Sequence, residues 1–349
     1  MKTEIQFLIP EKAVENDTAI KTIYVSDITE EQWLIERAKG IGGTDAASIY
    51  VPDKYGTPTT VYAYKKGIVE PEDISDKPAV KRGKRLENCV IVWFQEEYEK
   101  ETGKEIQIFK SPWMYESYTR PYMKLNIDGL VYVDEYVLPD GNVIQGLGLL
   151  EVKTGGVNTK RNWKADGAEI SDPLGELPDR YQVQIQYYLA GLGLEFCMLP
   201  IWFDGEIYWR FILRNDELID CILEETDRFW KNFQNDIMPE PEGYESEKKL
   251  LLKSFPESNE ETIIDDSLFT LFEEYEFAMS EKNQIESEYK PQIDEINKKL
   301  DSVISRIKIK MGKNKSLQCV DWTATWNRFT KKAYTVSESV SEKFTVRKI

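Results

Sequence analysis

Two stretches, Leu125-Asn126-Ile127-Asp128-Gly129-Leu130-Val131-Tyr132-Val133 (125–133) and Gly148-Leu149-Leu150-Glu151-Val152-Lys153 (148–153), read as strands on either side of a turn at Pro139-Asp140-Gly141-Asn142. Aliphatic and aromatic residues fill the strands, while Pro, Gly, Asp and Asn mark the turn, so the two can pair as a hairpin. Side chains alternate along an extended strand. Glu151 and Lys153 therefore project from one face, and the paired strand can bring Asp128 beside them. Hard carboxylate oxygens suit Mg²⁺ or Mn²⁺. Such an ion can activate water and neutralise a phosphate, with the lysine orienting that water or stabilising developing charge.

An isolated Asp…Glu-x-Lys pattern also describes a solvated strand edge. Here Glu151 directly follows Leu149-Leu150 and precedes Thr154-Gly155-Gly156, so charge appears at the end of a buried strand, where open sheets carry ligand sites. Composition points the same way. The 349 residues include no histidine, which excludes Ser-His-Asp and Cys-His catalysis, His-ligated zinc and His proton shuttles. Carboxylates, Lys, Tyr and Gln remain as catalytic candidates. Cys89, Cys197, Cys221 and Cys319 lie far apart, without the spacing of a zinc knuckle or iron–sulfur cluster. No apolar run approaches the roughly 20 residues of a membrane span, and the expected compartment is the cytoplasm.

With 45 Lys+Arg against 62 Asp+Glu, the net charge of −17 argues at face value against a phosphate backbone as partner. The charge is segmented, however. Residues 1–239 carry 27 basic and 41 acidic side chains, residues 240–300 carry 7 and 17, and residues 301–349 carry 11 and 4.

Organisation follows these segments. Residues 1–239 read as a mixed α/β unit ending at Met238-Pro239-Glu240-Pro241-Glu242-Gly243, then an acidic linker over 240–261, a helical hairpin or coiled-coil segment over 262–311 and a small basic β-rich tail over 312–349. Within the first unit, Thr29 and Gln32 form a capping-box pattern for a helix that Gly40 ends. Leu86, Cys89/Val90, Trp93/Phe94 and Tyr98 recur at helical spacing between Arg82 and Lys100, ahead of Gly103. A helix is expected over 181–189, a second hairpin about Asp204-Gly205 and a closing helix over 215–233. Farther on, Ile293, Ile296, Leu300, Val303 and Ile307 follow a 3-4-3-4 spacing, and Pro291 is expected to divide the segment into two helices.

Other candidates surround the hairpin. Glu87 follows the basic run Lys81-Arg82-Gly83-Lys84-Arg85 on one helix; it can add a third carboxylate, or belong to a helix-terminal salt-bridge cluster. Tyr181 and Gln184, three apart, share a helix face. The cluster Lys160-Arg161-Asn162-Trp163-Lys164 offers cations for phosphates and an indole to stack on a frayed base, or is a solvated loop with one anchoring aromatic.

Taken in order, Trp33-x-x-x-Arg37, Gly40-Ile41-Gly42-Gly43-Thr44-Asp45-Ala46-Ala47, Gly83-x-x-x-Glu87-Asn88, Asp128-Gly129, Glu151-Val152-Lys153 and Tyr181-x-x-Gln184-x-Gln186 resemble the YqaJ family of viral recombination nucleases, within the PD-(D/E)XK superfamily, over roughly residues 30–235. The resemblance implies a restriction-endonuclease-like α/β core, a central mixed β-sheet flanked by helices, followed by a helical and small β extension. It implies that Asp128, Glu151 and the Val152 carbonyl bind Mg²⁺ (or Mn²⁺), as two ions, with Glu87 contributing and Lys153 and Gln184 positioning water. Arg37 and Thr44 would lie near a 5′-terminal phosphate, supported by Tyr181 and Gln186. Apart from the resemblance, Arg82, Lys84 and Arg85 are phosphate candidates because they adjoin Glu87, and Lys160, Arg161, Trp163 and Lys164 are DNA-contact candidates in a loop longer than the family pattern. The implied activity is 5′-to-3′ digestion of double-stranded DNA from an end, leaving 3′ single strands for a RecT/Redβ-like annealing protein. A homo-oligomer is implied too, a trimer being one form. Alternatives are an endonuclease or nickase on the same site and a catalytically inactive DNA-binding scaffold.

Overall fold

In the computed structural model the hairpin read from residues 125–153 lies at the centre of a mixed sheet. Residues 19–24, 28–71, 73–110, 113–156, 177–203, 205–254, 265–319 and 322–325 are described, in two units, Met1–Pro256 and Glu257–Ile349. The first unit runs β1 (Ala19–Tyr24), α1 (Glu30–Ala38), α2 (Gly43–Tyr50), α3 (Pro58–Lys65), α4 (Pro78–Thr102), β2 (Gln107–Phe109), β3 (Trp113–Ser117), β4 (Lys124–Leu125), β5 (Gly129–Val137), β6 (Val143–Leu150) and β7 (Lys153–Gly155). It continues with α5 (Asp179–Leu192), β8 (Phe196–Phe203), β9 (Glu206–Leu213), α6 (Asp216–Gln234) and α7 (Glu245–Ser254).

β5 and β6 pair antiparallel with Gly129 opposite Leu150, as the sequence leads one to expect. β6 and β7 then run along the same edge of β8 in one parallel register, Leu149 opposite Cys197 and Lys153 opposite Ile201, interrupted only at Glu151-Val152. β9 closes the other edge of β8 through the hairpin at Gly205, and β2 pairs with β5. The result is the expected mixed sheet. A separate three-stranded sheet, β1-β3-β4, has no counterpart in the sequence reading.

Alternation along the central strands divides the core in two. Leu130, Leu149, Cys197, Leu199 and Ile201 face a cluster built with α2, α5 and α6. Val131, Val133, Leu150, Phe196 and Met198 face α4, which buries Val90, Ile91, Phe94 and Tyr98. Two helix boundaries follow from local signals: the Thr29–Gln32 capping box starts α1, and Gly103 ends α4 at φ 71°. α4 begins before Arg82 because Pro78 occupies its first turn.

Two expectations are corrected. The stretch expected as linker contains α7, whose Leu250 packs with Ala63 and Val69, while buried Glu247 accepts the N–H groups of Glu242, Gly243 and Tyr244. A Pro/acid-rich composition reads as linker because those partners are remote in sequence. In the second unit, Phe269–Met311 is one helix, α8, passing through Pro291 rather than a hairpin. Good helix formers on both sides carry it across the single hydrogen bond that proline removes. β10 (Ser316–Cys319) and β11 (Trp322–Thr325) form the small hairpin expected from tail composition, and the strand expected near 344–349 lies outside the described residues.

Gly148 sits where a Cβ would come within 2.1 Å of the Phe196 ring. Gly148→Ala is expected to destabilise the first unit by about 1–3 kcal/mol through overpacking, read from urea unfolding; an unchanged midpoint contradicts this packing.

Candidate active site

The break at Glu151-Val152 is where the chemistry collects. Asp128, one residue before β5, accepts the Val152 N–H through Oδ2 at 2.8 Å. Glu151 is 3% exposed. Its Oε1 receives Lys153 Nζ at 2.5 Å and Gln184 Nε2 at 2.9 Å, and Lys153 also donates to Gln184 Oε1 at 3.1 Å. Tyr181 covers the ammonium, its ring centre 4.6 Å from Nζ. One strand joint and one face of α5 thus assemble Asp128, Glu151, Lys153, Tyr181 and Gln184.

Electrostatics define how these groups coexist. Burial pushes the Asp128 carboxyl up to about 8, with Glu151 and then Glu87 adding to the rise and Lys153 opposing it. Burial alone would lower Lys153, but Glu151 and Asp128 hold it above the ordinary lysine value, so it stays an ammonium. Glu87 comes from α4, whose first turns lie against β7, Gly83 facing Thr154. Its carboxylate pairs with Lys110, which the sequence reading missed. Among the described residues no three carboxylates or thiols form a ready-made metal cluster. Two buried carboxylates, one driven towards protonation, nevertheless suit a divalent cation: Asp128 and Glu151 could hold one, while Glu87 is paired with Lys110.

A second group adjoins the first. Arg37 donates to Thr44 Oγ1 at 2.7 Å and lies over Trp33, whose Nε1 donates to Asn126 Oδ1 at 3.2 Å, two residues before Asp128. The Gly-rich loop is held from both sides. Tyr187 Oη donates to the Ile41 carbonyl, and a Cβ on Gly43 would meet Gln184 Cγ at 2.8 Å. Asp45 accepts the Gly42 N–H and pairs with Lys65 at 2.8 Å; despite burial, Lys65 and Arg37 hold its carboxyl below the usual carboxylate range. Asn126 was signalled only by its nearness to Asp128. Lys65 and Lys110 carried no local signal.

Other expected site residues are placed differently. Gln186 is fully buried, donating to the Leu213 carbonyl and accepting the Asn215 N–H, so it ties β9 to α6 rather than facing the site. Along the basic run Lys81 pairs with Asp76 and Lys84 with Glu30 at the surface, while Arg85 is exposed and Arg82 Nε is buried without a hydrogen-bond partner among the described residues. Lys160, Arg161, Trp163 and Lys164 lie outside the described residues.

Residues 32–195 match the YqaJ-like viral recombinase domain family. The chain is similar to the protein YqaJ of Bacillus subtilis strain 168, 29% identical over 244 residues, covering 69% of this chain and 68% of that one. Solved structures with some likeness include an alkaline exonuclease from Laribacter hongkongensis, at 19% identity and TM-score 0.42 over 59% of this chain and 94% of that one. Another is a phage-related exonuclease from Haemophilus somnus 129PT, at 12% identity and TM-score 0.32 over 57% and 95%. Arg37, Thr44, Glu87, Asp128, Glu151, Lys153 and Gln184 all fall inside the matched residues, whereas α6, α7 and the second unit follow them.

Gln186→Ala is expected to cost roughly 1–3 kcal/mol of stability, since it removes both hydrogen bonds of a fully buried amide, to the Leu213 carbonyl and the Asn215 N–H. Chemical unfolding of Gln186→Ala beside Gln184→Ala checks this, and a larger loss for the Gln184 variant contradicts the structural role.

Proposed function

We propose that this protein is a metal-dependent exonuclease that digests double-stranded DNA from a 5′ end, releasing nucleotides and leaving a 3′ single strand. The observation that carries the reading is the buried Asp128–Glu151 pair with Lys153 and Gln184 converging on one carboxylate oxygen. The match of residues 32–195 to the YqaJ-like viral recombinase family supports the biological setting.

The residues divide the work by their chemistry. Asp128, Glu151 and the Val152 carbonyl would hold Mg²⁺, or Mn²⁺, with Glu87 drawn in from Lys110 as a further ligand if a second ion binds. When bound, the ion supplies Lewis-acid polarisation of the scissile phosphate and lowers the pKa of water. Lys153, kept charged by its carboxylate neighbours, orients the attacking water and stabilises charge on the phosphoryl oxygens. Gln184 holds Lys153 and Glu151 in register. Arg37, fixed over Trp33 and bonded to Thr44, receives the 5′-terminal phosphate, with Arg85 and Arg82 binding the backbone beyond it. The released 3′ strand is substrate for a single-strand annealing protein, and the setting is the cytoplasm of a bacterial host; no helix among the described residues is long and apolar enough to cross a membrane.

End-labelled duplexes bearing 5′-phosphate or 5′-hydroxyl, with and without Mg²⁺, test the activity. Expected is Mg²⁺-dependent release of nucleotides from the 5′ end, faster with the phosphate, while Lys153→Ala loses at least about 100-fold. Rapid cutting of covalently closed circles would instead assign an endonuclease or nickase.

The raised Asp128 carboxyl gives a pH signature. Its folded pKa of about 8 lies above the ordinary carboxylate value, so the native state retains a proton that the unfolded chain has lost. Metal-free protein should therefore lose stability as pH rises from about 4 to about 8, and Mg²⁺ should restore most of it at the upper end. Thermal unfolding in EDTA and in Mg²⁺ across this range reads the effect, and Asp128→Asn should flatten the metal-free slope.

A further inference from the structure

α8 spans 43 residues, and along it Met311 is buried and Tyr275 half-buried while the rest of the helix is exposed. Its apolar stripe is continuous with the spacing noticed near its C-terminus. Stepping alternately by three and four residues from Leu268 to Val303 visits apolar or aromatic side chains at every position except Lys282 and Glu286. That is about five heptads, more than the three to four that mark a coiled coil. Ile296 is 62% exposed and Phe272 48%, an arrangement that water does not favour on a helix of this length.

Two further features select the occupant. Residues 265–288 carry eight acidic side chains and one basic, whereas residues 289–315 carry three acidic and eight basic. The two polar seam residues have opposite charge, and within one helix they are only loosely paired at 3.8 Å. We propose that α8 is the self-association surface of this protein, pairing antiparallel with α8 of a second copy about an axis at Gln284.

In that register Lys282 faces Glu286 of the second copy, and Glu286 faces its Lys282. Every other seam layer joins apolar to apolar or aromatic, including Phe272 with Ile296 and Met279 with Tyr289. The acidic half of each helix lies along the basic half of the other. A parallel pair would instead oppose Lys282 to Lys282, Glu286 to Glu286 and acidic half to acidic half. Sliding the antiparallel register by one heptad sets both charges against apolar side chains. Pro291 falls on the side of the helix away from the seam, so its missing N–H does not disturb the contact. The overlap from Leu268 to Leu300 is about 50 Å at ~1.5 Å per residue.

Sedimentation and light scattering of the full chain test the assembly. Expected is a particle of twice the 40.7 kDa chain mass, with Ile296→Asp/Leu300→Asp raising the dissociation constant at least about 100-fold. Orientation is read by cross-linking in a Cys89→Ser/Cys221→Ser/Cys319→Ser background. Lys282→Cys and Glu286→Cys chains should form disulfides when mixed and not when each is alone. A monomer at micromolar concentration, an oligomer indifferent to the seam variants, or efficient disulfides within either cysteine variant alone, where buried Cys197 is the other thiol, would overturn the proposal.

Discussion

Two carboxylates cannot be buried side by side at the end of a sheet without something to offset their repulsion, and the first unit is built around that requirement. Asp128 and Glu151 are neighbours because β5 and β6 pair with Gly129 opposite Leu150. The offset comes from three directions: the Val152 N–H on Asp128, the Lys153 ammonium and the Gln184 amide on Glu151. Even so burial and the charge of Glu151 drive the Asp128 carboxyl upward. Glu151 N–H still bonds the Met198 carbonyl of β8, and because pairing with β5 ends at Gly129 opposite Leu150, the Val152 N–H on the other side is left for the Asp128 carboxylate.

The same logic explains how a chain with a net charge of −17 can address a polyanion. Much of the acidity is absorbed locally: Glu87 by Lys110, Asp45 by Lys65, Asp53 by Arg180. Equally, Lys81 and Lys84 are engaged by carboxylates, so attraction for DNA does not come from a broad basic face. On the proposed reading it rests on individually placed cations, Lys153 and Arg37 beside the buried carboxylates and Arg82 and Arg85 beyond them. Specific geometry can substitute for bulk charge when phosphate contacts are few and well oriented.

The second unit follows a different principle. Its long helix separates acid from base along its length and keeps an apolar stripe on one side, features that carry information only when a second helix is present. Pro291 illustrates how a local rule yields. One lost hydrogen bond is small against the continuous helical preference on either side, so the rule that divides helices at proline does not hold here.

Local pattern determined much of this protein on its own. The hairpin with Asp128 beside Glu151 and Lys153, the capping box of α1, the amphipathic face of α4 and the Tyr181–Gln184 spacing are short-range properties, set by side-chain alternation, helical period and turn chemistry. Tertiary structure decided the rest. Gln186 shares a motif with Gln184 yet turns into the core, because residues two apart on a helix face different directions. Lys110, Lys65 and Asn126 join the site only through folds of the chain that bring remote elements together. The sheet β1-β3-β4 and the docking of α7 likewise depend on partners far away in sequence. Spacing constrains which side chains share a face; only packing settles which face meets the core, a carboxylate or water.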